Sequence, residues 1–532
     1  MSQKKYWQGF GQLNDPESFN KKNRNEFQED LPFGDFESQE LLDTKSPRRD
    51  FLKYLGFSTA AATMAASCKT KVRHAIPFAI RPDNVVPGEA KFYATTYIQD
   101  GYAVPVLAKV REGRPIKIEG NDLSYTKGGT SAAVQASVLD LYDTHRLRFP
   151  QIKKGDKFEE STFEDIDKAI MAELASAGNV VLLSGTINSP STLEIISKYP
   201  NLKHVQYDPV SYSGILQANE ASGFGRKLPS YKFDAADVIV SLGADFLGTW
   251  LDPIGQAAGY AKGRRIDEAS PKISKHYQFE SYLSMTGSNA DERFTHRPSQ
   301  TGAVALALLA AVGGGATAPD IADAKLKAGI EKVATELKAA SGKGLVVCGS
   351  NDANIQTVVN AINNAIGAYG ATIDFAAANN SRKGIDKEFA DLIAQMEGGQ
   401  VGAILIYGAN PAYDYFDAPK FAKALKGVKT SVSFGYRLDE TTELCKYIIP
   451  SHHFLESWGD AEPKAGVVSF MQPTIHPLFK TRSFQSSLLK WSGSDKNYDA
   501  YFKEYWQGKL GGESAYSKAL QNGFVETTAG VS

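Results

Sequence analysis

Cysteine is scarce in this chain of 532 residues, which contains only Cys68, Cys348 and Cys445. No two of them have the short spacing at which thiolates share a zinc ion or an iron-sulfur cluster. Nor do they form the framework of paired cysteines that staples small secreted domains. Cys348 ends an apolar stretch and Cys445 precedes one, so both are predicted to be small buried side chains.

Several catalytic signatures are also missing. The chain has no GxGxxG segment opening a helix, no P-loop, no GxSxG elbow and no HExxH pair, which argues against nicotinamide binding, nucleotide hydrolysis, serine hydrolysis and zinc proteolysis. The formal net charge is −1 and the pI is about 6.7, so the chain lacks the basic character expected of a nucleic-acid partner. The most apolar later run, AVALALLAAV from Ala303, ends in glycine and predicts a buried helix rather than a membrane span.

An export signal is predicted ahead of the folded part of the chain. Arg48 and Arg49 precede a short, interrupted apolar stretch, which is too short to span a bilayer and resembles the twin-arginine pattern that exports folded proteins. The alternative is an amphipathic surface helix with a chance pair of arginines. Cys68 follows Ala65-Ala66-Ser67 in a loose lipoprotein box and is the candidate lipidation site, which alone would anchor weakly. Residues 1–68 are interpreted as an extended leader, and the sequence leaves its cleavage open.

Strand and turn signals divide the remainder of the chain. Short strands with turns at DG, EG and GND predict a small β-rich segment within residues 69–149. From about residue 150 the pattern changes to apolar strands separated by helical stretches: NVVLLSGT, ADVIVSLGAD, GLVVCGSND and GAILIYGANP. This alternation is typical of parallel sheets covered on both faces, so the fold class is α/β. The four strands form an internal repeat, which predicts α/β units at 150–325 and 326–480 and a C-terminal tail at 481–532.

The carboxyl ends of these four strands are the candidate binding positions. Each strand ends in glycine, followed in three cases by a polar residue of interest: Gly185, Gly243 with Asp245, Gly349 with Ser350, and Gly408 with Asn410. Such turns let a ligand approach the backbone at the edge of a parallel sheet, and two facing units could hold a long dinucleotide-like molecule. The alternative is that the glycines only form tight strand-to-helix turns.

One polar motif, PSHHFLESWGD, has two possible interpretations. His452 and Glu456 could share a helical face and supply half of a metal site. Because no third ligand is evident, hydrogen-bonded loop residues at a domain contact are favoured, and no metal site is predicted. Trp458 is predicted to be an aromatic anchor, while Glu456 and Asp460 accept hydrogen bonds from backbone donors.

Longer motifs carry a resemblance to a known family. GRPIKIEGN, SLGADFLGTW, ESYLSMTGSNADER, YGANPAYD and DETTELCKYIIPSHHFLESWGDAEPKAGVVSFMQP together resemble the molybdopterin-oxidoreductase-like half of the iron-sulfur subunit of bacterial alternative complex III. KKYWQGFGQLND and the arginine pair resemble the extended leader of related proteins. The resemblance covers nearly the whole chain and implies the complex-iron-sulfur-molybdoenzyme catalytic fold, whose central domains are two pseudo-symmetric α/β units.

The chain departs from the catalytic relatives at the cofactor positions. Those relatives commonly carry four cysteines for a [4Fe-4S] cluster and a Cys, selenocysteine, Ser or Asp that binds molybdenum, whereas residues 91–143 contain no cysteine. Gly129-Thr130 stands where the last cluster cysteine is expected. The resemblance therefore implies a domain that kept the fold and lost the cofactor, with a Ser or Asp ligand left open. The vestigial cleft would comprise Gly185, Gly243, Asp245, Gly349, Ser350, Gly408, Asn410, Glu456, Trp458 and Asp460.

The function implied by the resemblance is that of a non-catalytic scaffold in a menaquinol-oxidising respiratory complex on the periplasmic side of the inner membrane. Iron-sulfur clusters and haem c are expected outside this chain. The implied partners are a ferredoxin-like iron-sulfur half or subunit, a multihaem cytochrome c, a multi-helix quinol-oxidising membrane subunit and, in some complexes, a terminal oxidase. The alternative is a molybdopterin-dependent oxidoreductase of the polysulfide or thiosulfate reductase kind, with catalysis in the cleft.

Overall fold

The computed structural model describes residues 86, 88–99, 101–266 and 272–527, together with the single residue Glu17. The chain divides into two units after Arg81, and all described residues except Glu17 lie in the second unit, Pro82–Ser532. The predicted export and lipidation residues Arg48, Arg49 and Cys68 lie outside the described residues and stay predictions.

Strands and helices alternate along most of the second unit, as the sequence pattern predicts. The strands are β1 (Lys91–Gln99), β2 (Tyr102–Arg111), β3 (Arg114–Gly120), β4 (Gln151–Lys154), β5 (Lys157–Glu160), β6 (Val180–Ser184), β7 (Leu202–Gln206), β8 (Leu228–Tyr231), β9 (Val238–Leu242), β10 (Lys275–Glu280), β11 (Glu292–Thr295), β12 (Gly344–Cys348), β13 (Ile373–Asn379), β14 (Ala403–Tyr407), β15 (Thr430–Ser433), β16 (Tyr447–Ile448), β17 (Gly459–Lys464), β18 (Val467–Met471) and β19 (Phe524–Glu526). The helices are α1 (Ala132–Asp140), α2 (Phe163–Ala175), α3 (Pro190–Lys198), α4 (Ser213–Ala221), α5 (Pro253–Gly263), α6 (Met285–Ser288), α7 (Thr301–Val312), α8 (Ala324–Ala339), α9 (Ala353–Ala365), α10 (Asp386–Glu397), α11 (Pro411–Asp414), α12 (Ala418–Lys426), α13 (Glu440–Leu444), α14 (Phe484–Trp491), α15 (Tyr498–Leu510) and α16 (Glu513–Asn522).

The first three strands form an antiparallel sheet in the order β1-β2-β3. Glu112 and Gly113 join β2 to β3 with φ angles of 44° and 76°, and two successive positive φ values are what a tight hairpin turn needs. Helix α1 covers this sheet, and the buried apolar side chains between them include Val104, Val106, Ile118, Val134 and Val138. The short strands predicted here are therefore present and enclose a small core of their own.

The largest sheet has seven strands in the order β5-β4-β16-β15-β14-β6-β7. The strands from β16 to β7 are parallel, and β4 and β5 extend the sheet in the antiparallel direction. Helices α2, α3 and α14 contribute to the core on one face, and α10 and α12 contribute to the core on the other. Because both faces are covered, β6 is buried at every position, which explains its continuous apolar sequence.

A second sheet has four parallel strands in the order β11-β10-β9-β12. Its core includes buried side chains of α7 and α8. The AVALALLAAV run lies in α7, which is buried and ends at Gly313 in the left-handed conformation with a φ of 93°, as predicted. Among the described helices, none combines the length and apolar character that crossing a membrane requires.

The two parallel sheets do not follow the contiguous units predicted at 150–325 and 326–480. β6 pairs with β14 and β9 pairs with β12, so each sheet takes strands from both predicted units. The repeat itself persists, with β6 corresponding to β12 and β9 to β14. Spacing along the chain could not reveal this arrangement, because crossovers between parallel strands can leave a sheet and return to it later.

A third, five-stranded sheet brings the C-terminal residues into the fold. Its order is β19-β18-β17-β13-β8, and β19 pairs antiparallel with β18. Helices α14 and α15 place Phe484, Leu488, Phe502 and Trp506 in the same core as the seven-stranded sheet. The prediction that 481–532 forms a tail leading away from this domain is therefore wrong for residues 481–527, because their large apolar side chains are buried within it.

Candidate functional site

The four predicted glycine turns meet in pairs at the carboxyl edges of the two parallel sheets. A Cβ on Gly185 would lie 2.7 Å from the carbonyl oxygen of Gly408, and one on Gly349 would lie 2.3 Å from that of Gly243. Gly243 and Gly408 have φ angles of 68° and 61°, which other residues rarely adopt. A Cβ on either of these two would meet nothing within 4 Å. The turns are therefore closed toward each other and open on the side away from the sheet.

The polar residue after each positive-φ glycine holds the neighbouring loop. Oδ1 of Asp245 accepts hydrogen bonds from the backbone amide of Thr286 at 3.0 Å and from its hydroxyl at 2.7 Å. Oδ1 of Asn410 accepts the same two bonds from Thr441, again at 3.0 Å and 2.7 Å. The two turns are thus equivalent in side-chain chemistry as well as in backbone conformation.

Ser350, the remaining predicted residue of the glycine turns, is also used within its own loop. Its amide donates to Sγ of Cys348 at 3.4 Å, and its hydroxyl accepts from the amide of Asp352 at 3.2 Å. Asp352 in turn caps α9. These contacts shape the start of a helix, which is the structural role that glycine and serine commonly have at such a turn.

A loop that sequence reasoning missed lies across the edge of the seven-stranded sheet. Asp208 is buried and accepts hydrogen bonds from the hydroxyl of Thr186 at 2.7 Å and from the amide of Gly384 at 2.8 Å. The amide of Lys383 donates to the Thr186 hydroxyl at 2.8 Å. A Cβ on Gly101 would lie 2.3 Å from the carbonyl oxygen of Ser381. The sequence SRKG, residues 381–384, has no period that could have predicted this position.

A single asparagine links the turn after β12 with elements outside its sheet. Asn351 Oδ1 accepts from the amide of Gly214 at 2.8 Å, and its Nδ2 donates to Asp386 at 2.9 Å. A Cβ on Gly214 would lie 2.3 Å from the Asn351 carbonyl oxygen. The edge of the four-stranded sheet is therefore in direct backbone contact with α4 and bonded to the start of α10.

Glu456 forms a buried ion pair with Arg146, a residue that no motif in the sequence singles out. The guanidinium donates to the two carboxylate oxygens at 2.6 Å and 3.2 Å, and both side chains are fully buried. The amides of His453 and Leu478 also donate to this carboxylate, at 3.0 Å and 2.9 Å. Burial alone would raise the pKa of Glu456, but the hydrogen bonds from Arg146 and the two amides outweigh burial and lower it.

Asp460 lies on β17 and joins three parts of the chain. It accepts hydrogen bonds from the hydroxyl of Ser189, from the amide of Ser191 at 3.3 Å and from the indole Nε1 of Trp506 at 2.6 Å. Burial raises the pKa of this carboxyl, and its hydrogen bonds oppose that shift. Asp460 thus connects the loop after the Gly185 turn with helix α15, and its polar atoms are used inside the domain.

The remaining residues of the ESWGD region have structural partners. Trp458 is half-buried and its ring lies 5.7 Å from that of Phe502. Nδ1 of His452 lies 2.6 Å from the hydroxyl of Thr481, and His453 is buried with a pKa lowered to about 4 by burial and by nearby Arg146. No group of three potential metal ligands from His, Cys, Asp and Glu occurs among the described residues.

The fold tested against a molybdenum cofactor gives a divided result. The open outer sides of Gly243 and Gly408 fit a ligand that approaches the backbone. The two described cysteines do not fit a metal ligand, because Cys348 and Cys445 are buried and burial raises the pKa of each thiol to about 12. The described residues therefore do not supply the thiolate on which the commonest form of such a site depends.

Comparison with known proteins supports the fold. No protein-family model matches the chain. Acetylene hydratase from Pelobacter acetylenicus superimposes with a TM-score of 0.61 at 10% identity, over 82% of this chain and 74% of that one. The predicted fold class, α/β and molybdopterin-oxidoreductase-like, is confirmed.

A relative by sequence has a more specific name. The menaquinone reductase, molybdopterin-binding-like subunit of Nitratidesulfovibrio vulgaris strain Hildenborough is 26% identical to this chain over 506 residues. The match spans 84% of this chain and 72% of that subunit. The similarity thus extends across most of the fold and includes both parallel sheets.

Proposed function

We propose that this chain is a non-catalytic scaffold subunit of a menaquinol-oxidising respiratory complex of the alternative complex III kind. The similarity to a protein named as a menaquinone reductase, molybdopterin-binding-like subunit supports a place in quinone-linked respiration. The similarity of fold to acetylene hydratase supports a scaffold derived from an enzyme fold. Neither similarity alone distinguishes a scaffold from an enzyme, so the proposal depends on the residues of this chain.

The observation that carries the scaffold role is the state of the chain's sulfur. The segment from β1 to α1, which corresponds to the iron-sulfur domain of the catalytic relatives, contains no cysteine. In the described residues the two thiols, on Cys348 and Cys445, are buried, and Cys445 donates to the carbonyl oxygen of Thr441. This segment has no thiolate that could hold a cluster, so redox chemistry is assigned to partners.

The buried polar contacts suit a rigid support. Arg146 and Glu456 join the segment after α1 to the loop before β17, and Asp460 with Trp506 joins β17 to α15. The first of these contacts ties together parts of the chain that are hundreds of residues apart. A domain fixed in this way can hold an iron-sulfur half or subunit, a multihaem cytochrome c and a quinol-oxidising membrane subunit in register.

The proposed location is the periplasmic side of the inner membrane, reached through the Arg48-Arg49 signal and supported by lipid on Cys68. Replacing both arginines by lysine should stop export of the folded chain, because the route reads the pair as an address. Cell fractionation of the double variant checks this, with a single Lys53→Ala variant as the control. Normal periplasmic levels of the double variant would contradict the leader assignment, and intact mass then reports separately on Cys68.

Metal analysis of the purified chain and of its assembled complex tests the scaffold role. We expect far less than one molybdenum or tungsten per chain and no extractable pterin. The open turns at Gly243 and Gly408 favour the competing function, a molybdopterin-dependent reductase of the polysulfide or thiosulfate kind. About one metal and one or two pterins per chain would establish that function and refute the scaffold.

A further inference from the structure

Two aromatic side chains project from the carboxyl edge of the seven-stranded sheet. Tyr413 in α11 is 72% exposed, and Phe416, just beyond the same helix, is 91% exposed. Tyr436 and Leu438 in the loop after β15 are also exposed. Asn410 links the two loops through its bonds to Glu440 and Thr441. We call Tyr413, Phe416, Tyr436 and Leu438 the edge patch.

The fold does not require this exposure. In the equivalent turn of the four-stranded sheet, Phe246 follows Asp245 and is fully buried, with its ring 4.3 Å from that of Phe233. The turn after Asn410 has the same backbone geometry and the same threonine contact but directs Tyr413 outward. Since one copy of the turn can bury its aromatic residue, the exposed aromatics of the other copy indicate a contact surface.

Acidic side chains surround the edge patch. Five carboxylates lie on the elements that carry or adjoin it: Asp386, Asp414, Asp417, Asp439 and Glu440. Their proximity is evident from contacts, since Tyr207 donates to Asp414 at 2.9 Å and the charges of Asp417 and Asp386 raise the pKa of Tyr415, after burial as the main cause. Arg437, which lies within the patch, is already paired with Asp140 and Asp143 at 2.9 Å and 2.7 Å.

We propose that the edge patch is a docking surface for a positively charged protein, one that presents lysines around an apolar centre. Apolar contacts at the centre would supply affinity, while the acidic rim would orient the partner and speed its approach. A patch of this size is suited to a transient complex rather than to a permanent one. The inference depends only on this surface and holds whether or not the chain is a scaffold.

Binding of a small lysine-rich c-type cytochrome to the full chain is the test. Calorimetry at about 20 mM and about 300 mM salt should give a micromolar Kd that weakens at least tenfold at the higher salt, since exposed charges are screened. Tyr413→Ser with Phe416→Ser should weaken binding at least tenfold at both salts. Asp414→Asn with Glu440→Gln should weaken it several-fold at low salt and reduce the salt dependence.

A matched control removes equal apolar exposure elsewhere. Tyr282 and Leu283 in the loop after β10 are 62% and 65% exposed, so Tyr282→Ser with Leu283→Ser should leave binding unchanged. An acidic protein of similar size should not bind. Equal affinity of wild type and the Tyr413/Phe416 variant, or an equal loss in the control, would overturn the proposal. So would sedimentation showing that the patch instead pairs two copies of this chain while the cytochrome fails to bind.

Discussion

Asp245 and Asn410 accept the same two hydrogen bonds at the same distances, 3.0 Å from a threonine amide and 2.7 Å from its hydroxyl. They differ in the second side-chain atom, which is an oxygen in Asp245 and an amide nitrogen in Asn410. The Asn410 amide donates to Glu440 at 2.8 Å. The repeat has thus kept the shared acceptor and diverged at the one atom that faces a different neighbour.

Asn410→Asp should be destabilising, because it replaces the donor to Glu440 with a carboxylate that repels it. We expect a loss of about 1–2 kcal/mol in the free energy of unfolding at pH 7, measured by urea denaturation. Asp245→Asn is the matched control and should change stability by less than about 0.5 kcal/mol, since the accepting oxygen remains. Equal effects of the two substitutions would show that the neighbour of the second atom is unimportant.

Glu456→Gln should destabilise the domain although the sequence predicts no chemical role for this residue. The substitution leaves the buried Arg146 guanidinium without its counter-ion, which costs about 3–5 kcal/mol. Arg146→Met combined with Glu456→Gln should recover most of that loss, because no unpaired charge stays buried. Urea denaturation measures both variants.

The same Glu456 variant also separates stability from chemistry. In complexes that assemble, quinol turnover should stay near the wild-type value, because the scaffold assigns no electron or proton step to this carboxyl. A large fall in turnover with assembly intact would show that the domain takes part in the reaction.

Acidification should weaken the fold through buried histidines. Burial lowers the pKa of His276 and of His453 to about 4, from an ordinary value of about 6.5. Between these values the unfolded chain binds more protons, so stability is fully present above pH 6.5 and falls as the pH drops toward 4. Each histidine contributes up to about 1.4 kcal/mol per pH unit.

His276→Gln should therefore flatten the stability profile between pH 6.5 and 4 by roughly 1 kcal/mol per pH unit. His145, whose side chain is 88% exposed, provides the control, and His145→Gln should leave the slope unchanged. Denaturation midpoints measured across this pH range compare the two. Parallel profiles for His276→Gln and wild type would contradict the assignment.

A pair of identical substitutions tests the aromatic contacts of the ESWGD region. Trp506→Phe removes the buried donor to Asp460 and should cost about 1.5–3 kcal/mol. Trp458→Phe should cost less than about 1 kcal/mol, because the Trp458 ring is half-buried and keeps most of its contact with Phe502. Trp458→Ala would cost about 3–5 kcal/mol if the ring were fully buried, so a smaller loss is expected for this half-buried ring.

Local features could be predicted from the sequence because their causes are local. The apolar runs of β6, β9, β12 and β14 and the glycine at the end of each predict buried parallel strands and tight turns. Likewise, Glu112-Gly113 predicts a hairpin turn and Gly313 the end of an apolar helix. Neighbouring residues determine each of these elements.

Only the tertiary structure decided which of these elements meet. Strand β6 pairs with β14 rather than with the strand nearest in the repeat, because the chain leaves the seven-stranded sheet to build the other and then returns. Glu456 meets Arg146, and Asp460 meets Ser189 and Trp506, across long separations in the sequence. Periodicity and turn chemistry contain no information on such contacts, since the packing of distant segments around shared cores creates them.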